Sequence, residues 1–242
     1  PISNLRRGSR VRGVSLNIRA GEVLGLTGLV GAGRTETARL LFGAERPEHG
    51  VIRLDGKPLK IKSPRDAIRQ GICLLTEDRK THGLVLGQTA RENFGLPNLS
   101  QFASLGFIRQ REESREFLRY VDQIQIKIAD PEQITGTLSG GNQQKVVLSK
   151  WLQRNAEVII FDEPTRGIDV GAKYEIYQLI NQLAEQGKAI LMISSELTEI
   201  LGMSDRVLVM NEGHITGEIT DIANATQEDI MKLATKRETL AA

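Results

Sequence analysis

The sequence predicts an α/β fold with a mostly parallel core sheet, an antiparallel β portion near the start and an inserted helical lobe. Three observations predict it. Continuous apolar runs such as EVIIFDE and AILMISS suit strands of a parallel sheet covered on both faces. Segments with helical spacing separate these runs, which is the alternation expected of βαβ units. The stretch from Gln88 to Thr137 breaks the alternation, because it lacks a long apolar run and carries the charged segment RQREESREFLRYVDQI.

The elements follow in order. Val14, Leu16 and Ile18 alternate with polar neighbours, the period-two pattern of a half-buried strand. EVLGLTG is a short apolar run ending on glycine, and in TETARLLFG the residues Ala38, Leu41 and Phe42 recur at helical spacing. VIRLDGKPLKI reads as a hairpin turning at Asp55-Gly56. SPRDAIRQG predicts a short helix capped by Ser63, with Pro64 at its first position. In the middle stretch Phe117, Leu118, Val121 and Ile124 fall on one helical face, and the charges form its solvated side. NQQKVVLSKWLQR is helical, with Val146, Val147, Lys150 and Trp151 as one face and its edge. AKYEIYQLINQLAEQG predicts an amphipathic helix closed by Gly187. RVLVMNEGHITGEI predicts a closing hairpin around Asn211 to Gly213, and TQEDIMKLA a last helix with Thr226 and Asp229 spaced as a capping box. The expectation is one domain over residues 1–242, its core at 1–87 and 141–242 and its helical lobe at 88–140.

Composition narrows the function. The chain carries 32 basic and 30 acidic side chains, a near-balance that argues against a dedicated nucleic-acid binder. Cys73 is the single cysteine, so no intrachain disulfide can form, which fits a reducing compartment. In GICLL it reads as a buried small hydrophobe rather than a reactive thiol. The histidines His49, His82 and His214 read as surface residues. No apolar run approaches the roughly 20 residues that span a bilayer, so attachment to a membrane is expected through a partner. The chain opens on Pro1, which reads as a fragment of something longer.

The sharpest local signal is GLVGAGRT, made of Gly28, Leu29, Val30, Gly31, Ala32, Gly33, Arg34 and Thr35. It matches G-x-x-x-x-G-[basic]-[ST] and lies between a predicted strand and a predicted helix, as a phosphate loop requires. Glycines let successive N–H groups turn toward phosphate oxygens, and the helix N-terminus behind them adds a favourable dipole. Thr35 offers a hydroxyl to magnesium. Arg34 stands where the pattern has lysine; it keeps the charge in a bulkier, planar form. Taken alone, the imperfect motif also reads as a glycine-rich turn without a ligand.

Two further motifs identify the family. VIIFDEP resembles a Walker B strand, and LSGGNQQK, Leu138 to Lys145, closely resembles the signature of ATP-binding cassette (ABC) proteins. Phosphate loop, helical stretch, signature, paired acids and the Asp169 loop follow in ABC order. GLVGAGRTE, EDRK, LSGGNQQK and ISSEL…LGMSDRVLVM are similar to the second cassette of the tandem ATPases of monosaccharide uptake, of the ribose, galactose, arabinose and xylose type. The resemblance implies ATP and Mg2+ as ligands, Asp162 and Thr35 at the metal, Glu163 at the attacking water and Asp169 in the dimer loop. It also implies that Ser139, Gly140, Gly141 and Asn142 act in trans, over the γ-phosphate of an opposing cassette. The implied partners are that second cassette, membrane permease subunits and a periplasmic sugar-binding protein, with the chain at the cytoplasmic face of the inner membrane of a bacterium.

Three positions depart from the family besides Arg34. Glu77 replaces a glutamine that touches the metal, Ser195 replaces a switch histidine, and no aromatic residue precedes the phosphate loop to stack adenine. Three functions compete: an ATP-hydrolysing cassette for sugar import, a degenerate cassette that completes its partner's site without turnover, and a soluble ABC ATPase of DNA repair or translation. Balanced charge and the sugar-type signature weigh against the third.

Overall fold

The computed structural model describes residues 1–104 and 106–236. In chain order its strands are β1 (Ile2–Arg7), β2 (Val11–Leu16), β3 (Val23–Gly28), β4 (His49–Leu54), β5 (Lys57–Pro58), β6 (Ile72–Leu75), β7 (Ala103–Ser104), β8 (Phe107–Ile108), β9 (Val158–Asp162), β10 (Ala189–Ile193), β11 (Arg206–Asn211) and β12 (His214–Ile219). Its α-helices are α1 (Arg34–Phe42), α2 (Pro64–Arg69), α3 (Ala90–Gly95), α4 (Leu99–Phe102), α5 (Gln110–Gln123), α6 (Gly140–Leu152), α7 (Val170–Glu185), α8 (Leu197–Met203) and α9 (Gln227–Ala234). They form two compact units: Pro1–Leu74 with Glu157–Glu163 and the chain from Ile180 onward, and Leu75–Ala156 with Pro164–Leu179.

The first unit is built on a six-stranded sheet in the order β12-β11-β3-β10-β9-β6. β3, β9, β10 and β11 pair in parallel, with Leu191 opposite both Leu24 and Ile160. Leu24, Leu26, Ile159, Ile160 and Ile190 through Ile193 are fully buried, which is why these strands read as unbroken apolar runs. β12 joins β11 antiparallel through the turn at Glu212 and Gly213, both at positive φ. A second sheet, β2-β1-β4-β5, is antiparallel, and Leu5, Val11 and Val14 fill its covered face. Its hairpin turns at Asp55 (φ 48°) and Gly56 (φ 77°), the doubly positive geometry that short hairpin turns demand.

Several expectations need correction. The strand with Val14 and Leu16 stops before Ile18, because the Asn17 carbonyl is taken by the Arg206 guanidinium and leaves the ladder. Ser63 occupies the N-cap position of α2 in extended conformation, yet its hydroxyl donates to Asp66 at 2.9 Å and caps no backbone N–H. His214 lies half-buried within β12 rather than on the surface. The buried face of α5 carries Glu113, Phe117 and Tyr120, while Leu118 is 43% exposed.

That face explains the second unit. Phe94 of α3 is fully buried, and its ring centroid lies 5.3 Å from Phe117, 5.6 Å from Tyr120 and 5.9 Å from Phe102. Arg91, one turn earlier, pairs with buried Glu113 and, at 2.5 Å, with Glu132. α6 is buried on most sides: its Lys145 amine reaches Glu175 at 2.6 Å and the Gln125 carbonyl at 2.8 Å. α9 starts with both bonds of the Thr226–Asp229 capping box. Among the described residues no helix is long and apolar enough to cross a membrane.

Candidate functional site

The β3 strand delivers a loop that enters α1 through left-handed glycines. Gly31 has φ 82° and Gly33 φ 101°. A side chain is excluded at both ends of the loop: a Cβ on Gly28 would lie 2.1 Å from the Met210 carbonyl oxygen, and one on Gly33 2.1 Å from that of Arg10. Ala32 donates to the Leu29 carbonyl at 3.0 Å and accepts from the Gly213 amide at 2.9 Å, so the loop is tied to the β11–β12 turn. Val30 is 96% exposed and Leu29 is exposed as well. No side chain caps α1 at Gly33, which leaves its first amides available to an anion.

β9 carries the acids to the same place. The Thr35 hydroxyl donates to Asp162 Oδ1 at 3.2 Å. Asp162 is buried, and burial pushes its carboxyl up to about 6; the Glu163 charge adds to this, while the Thr35 hydroxyl and the Arg34 charge oppose it. Glu163 follows the strand in left-handed conformation (φ 50°), with its amide bonded to the Ile193 carbonyl at 2.9 Å. One oxygen of Glu163 accepts from both the amide and the hydroxyl of Ser195 at 3.1 Å, and the other faces Arg34 Nη1 at 3.5 Å. Arg34, Thr35, Asp162, Glu163 and Ser195 therefore converge at the mouth of the loop.

The sequence reading missed the support behind this cluster. Thr27 donates to the Ser194 carbonyl at 3.0 Å, and the Ser194 hydroxyl bonds to buried Glu199, which fixes the segment presenting Ser195. Neither Thr27 nor Glu199 belongs to a motif.

The remaining expected site residues lie in the second unit. Ser139 caps α6: its Oγ accepts from the Asn142 side-chain amide at 2.9 Å and the Asn142 backbone amide at 3.5 Å. Asn142 Oδ1 in turn accepts from the Lys127 amide at 2.8 Å. Gly140 opens the helix, and a Cβ on Gly141 would come within 2.8 Å of Ala172 Cβ, so glycine lets α6 approach α7 closely. Asp169 Oδ1 accepts from the Ala172 amide at 3.0 Å. Glu77 is ion-paired with Arg166.

Among the described residues no three histidine, cysteine, aspartate or glutamate side chains gather as a metal cluster. Thr35 and Asp162 instead present two hard oxygen donors side by side, and burial of the carboxylate disfavours its charge more than the Thr35 hydroxyl and the Arg34 and Arg39 charges favour it. This donor set fits magnesium, which binds through one or two protein oxygens and completes its shell with water and phosphate.

A glycine phosphate loop between a parallel strand and a helix, with paired acids ending another strand of the same sheet, defines the P-loop class of α/β proteins. Within that class the chain belongs to the ABC transporter family, whose model matches residues 11–166. It is 56% identical over 97% of its length to the putative ribose/galactose/methyl galactoside import ATP-binding protein 1 of Rhizobium etli, covering 44% of that protein. It is 51% identical over 97% of its length to the ribose import ATP-binding protein RbsA of Oceanobacillus iheyensis, covering 47%. The chain thus spans about half the length of these curated relatives. Among solved structures it resembles the ADP conformation of MJ1267, an ATP-binding cassette of an ABC transporter, with a TM-score of 0.80 at 21% identity over 98% of each chain. It also resembles MJ0796 in a dimeric post-hydrolysis state bound to ADP and Pi, with a TM-score of 0.75 at 21% identity, over 90% of this chain and 97% of the other.

Proposed function

We propose that the chain binds and hydrolyses ATP to energise import of a simple sugar, as one cassette of a two-cassette ATPase. The observation that carries this reading is Glu163 at the mouth of the phosphate loop, held by Ser195 beside the Thr35–Asp162 pair. The names of the relatives, ribose and galactose import ATP-binding proteins, supply the sugar class.

In this reading the amides of residues 28–35 and the free N-terminus of α1 take the phosphate oxygens. Magnesium, when bound at Thr35 and Asp162, neutralises charge on the phosphates. Ser195 holds one Glu163 oxygen, and the other, which faces Arg34, accepts a hydrogen bond from the attacking water and orients it once phosphate draws the guanidinium away. Arg34, at the end of the loop, faces Glu163, and phosphate competes with Glu163 for its guanidinium. Ser139, Gly140, Gly141 and Asn142 close over the nucleotide of an opposing cassette, with Asp169 in the loop between the two. Glu77 serves metal contact and coupling to permease subunits, which receive the sugar from a periplasmic binding protein. The chain works at the cytoplasmic face of the inner membrane.

The test is sugar uptake by cells carrying the full-length protein with its membrane partners. Glu163→Gln is expected to lower ATP-driven uptake of ribose or galactose by about a hundredfold or more. Undiminished uptake by the variant would favour a cassette that completes its partner's site without turnover.

A further inference from the structure

We infer that Arg166 is the positioning residue for Glu77, and that the two side chains together stand in for the neutral glutamine the family carries at that place. This assignment rests on the nucleotide reading above and deepens it, by giving the means by which a carboxylate is tolerated beside a polyphosphate.

A carboxylate at position 77 brings a full negative charge that an amide does not. In the proposed reading Glu77 serves the metal that neutralises the phosphates, and an unpaired carboxylate there repels the nucleotide. Arg166 removes that charge: its Nη1 donates to Glu77 Oε1 in an ion pair. A guanidinium stays protonated throughout the working pH range, so the compensation does not fade as an ammonium's could. The neighbouring acid is engaged elsewhere. Asp78 accepts from the Lys80 amide at 3.2 Å, the Thr81 amide at 3.1 Å and the Thr81 hydroxyl at 2.5 Å, and so caps the single helical turn Arg79–Gly83. The Thr76 hydroxyl donates to the Asp78 carbonyl at 3.1 Å. Glu77, between these two fixed residues, is the acid that meets Arg166.

The turn that presents Arg166 is itself fixed. Thr165 and Ile168 are buried, and the Ile168 amide donates to the Thr165 carbonyl at 3.2 Å. Gly167 between them has φ 67°, the left-handed conformation that the third position of a type II turn requires. A Cβ on Gly167 would meet nothing within 4 Å, so backbone conformation rather than space favours glycine there. Arg166 occupies the second position, and its side chain is 66% exposed. Asp169 follows the turn directly, with its Oδ1 accepting from the Ala172 amide at 3.0 Å at the start of α7. The ion pair therefore ties the segment after β6 to the turn that leads into Asp169, wholly within the second unit. A pair this exposed contributes little to stability, so breaking it is read in ligand binding rather than in folding.

Equilibrium binding of ATP and of ADP, without metal, at this half of the full-length protein tests the assignment with Arg166→Ala, Arg166→Lys and the double variant Glu77→Gln/Arg166→Ala. Arg166→Ala is expected to weaken ATP binding about tenfold and ADP binding less, because ADP carries one phosphate fewer. Arg166→Lys is expected to keep most of the affinity, and adding Glu77→Gln to Arg166→Ala to restore it. The melting temperatures of all three variants should stay within about 4 °C of the parent's. Equal weakening in Arg166→Ala and in the double variant would overturn the inference, because Arg166 would then act without Glu77. Unchanged ATP affinity in Arg166→Ala would overturn it as well, leaving an exposed ion pair without a role in the site. If the parent binds neither nucleotide, the proposed function itself fails and the inference falls with it.

Discussion

Asp162 is the residue whose ionisation the fold opposes most plainly. Its carboxyl lies at about 6 against an ordinary 3.8, because burial penalises the charged form. The native state therefore binds a proton that the unfolded chain has released. Below about pH 4 the group has no effect; stability falls as pH rises from 4 to 6, and above that the cost is complete, at most roughly 3 kcal/mol. Asp162→Asn is accordingly expected to raise the melting temperature of the nucleotide-free chain at neutral pH and to flatten the fall between pH 4 and 6. Melting curves recorded across that range check it, and parallel profiles for variant and parent would refute it. Gly33 makes the opposite case. Ala there meets both φ 101° and the Arg10 carbonyl, so Gly33→Ala is expected to destabilise the chain by about 2 kcal/mol or more in denaturant titration. Arg34, Thr35, Asp162 and Glu163 were legible in the sequence because each belongs to a motif pinned to the end of a strand. The roles of Thr27, Glu199 and Arg166 were not, since each rests on contacts that spacing does not reveal.

Among the elements, the buried strands were the easiest to read. β9 and β10 are covered on both faces, so apart from Asp162 at the end of β9 their sequence is apolar and no phase has to be chosen. α5 was harder because two polar-capable side chains, Glu113 and Tyr120, occupy its buried face. Apolar periodicity alone placed Leu118 inward, whereas Arg91 from α3 makes a buried carboxylate tolerable at 113. Burial still pushes the Glu113 carboxyl up despite that partner, and the more exposed Glu132 is drawn down by the Arg91 hydrogen bond. Arg91→Met would leave Glu113 charged and unpaired, an expected loss of about 3–5 kcal/mol; adding Glu113→Leu should recover much of it. Urea unfolding of the single and double variants measures both, and a neutral single variant would contradict the account.

For the whole molecule, the alternation of strand and helix established the class, and the order of motifs established the family that the comparisons then showed. Sequence patterning did not show that the expected site residues divide between two compact units, with Thr35, Asp162, Glu163 and Ser195 in one and Glu77, Ser139 and Asp169 in the other. Linear order gives no measure of which segments fold together, and residues 157–163 return to the first unit after an excursion of some eighty residues. The chain spans about half of its relatives, and in the proposed reading its Ser139–Asn142 segment closes over an opposing site, so it is expected to work as one half of a nucleotide sandwich. The most direct test is the rate of magnesium-dependent ATP hydrolysis by the full-length protein, with and without Glu163→Gln in this half. The account predicts that turnover at this site is lost in the variant while ATP is still bound; equal turnover in both proteins would contradict it.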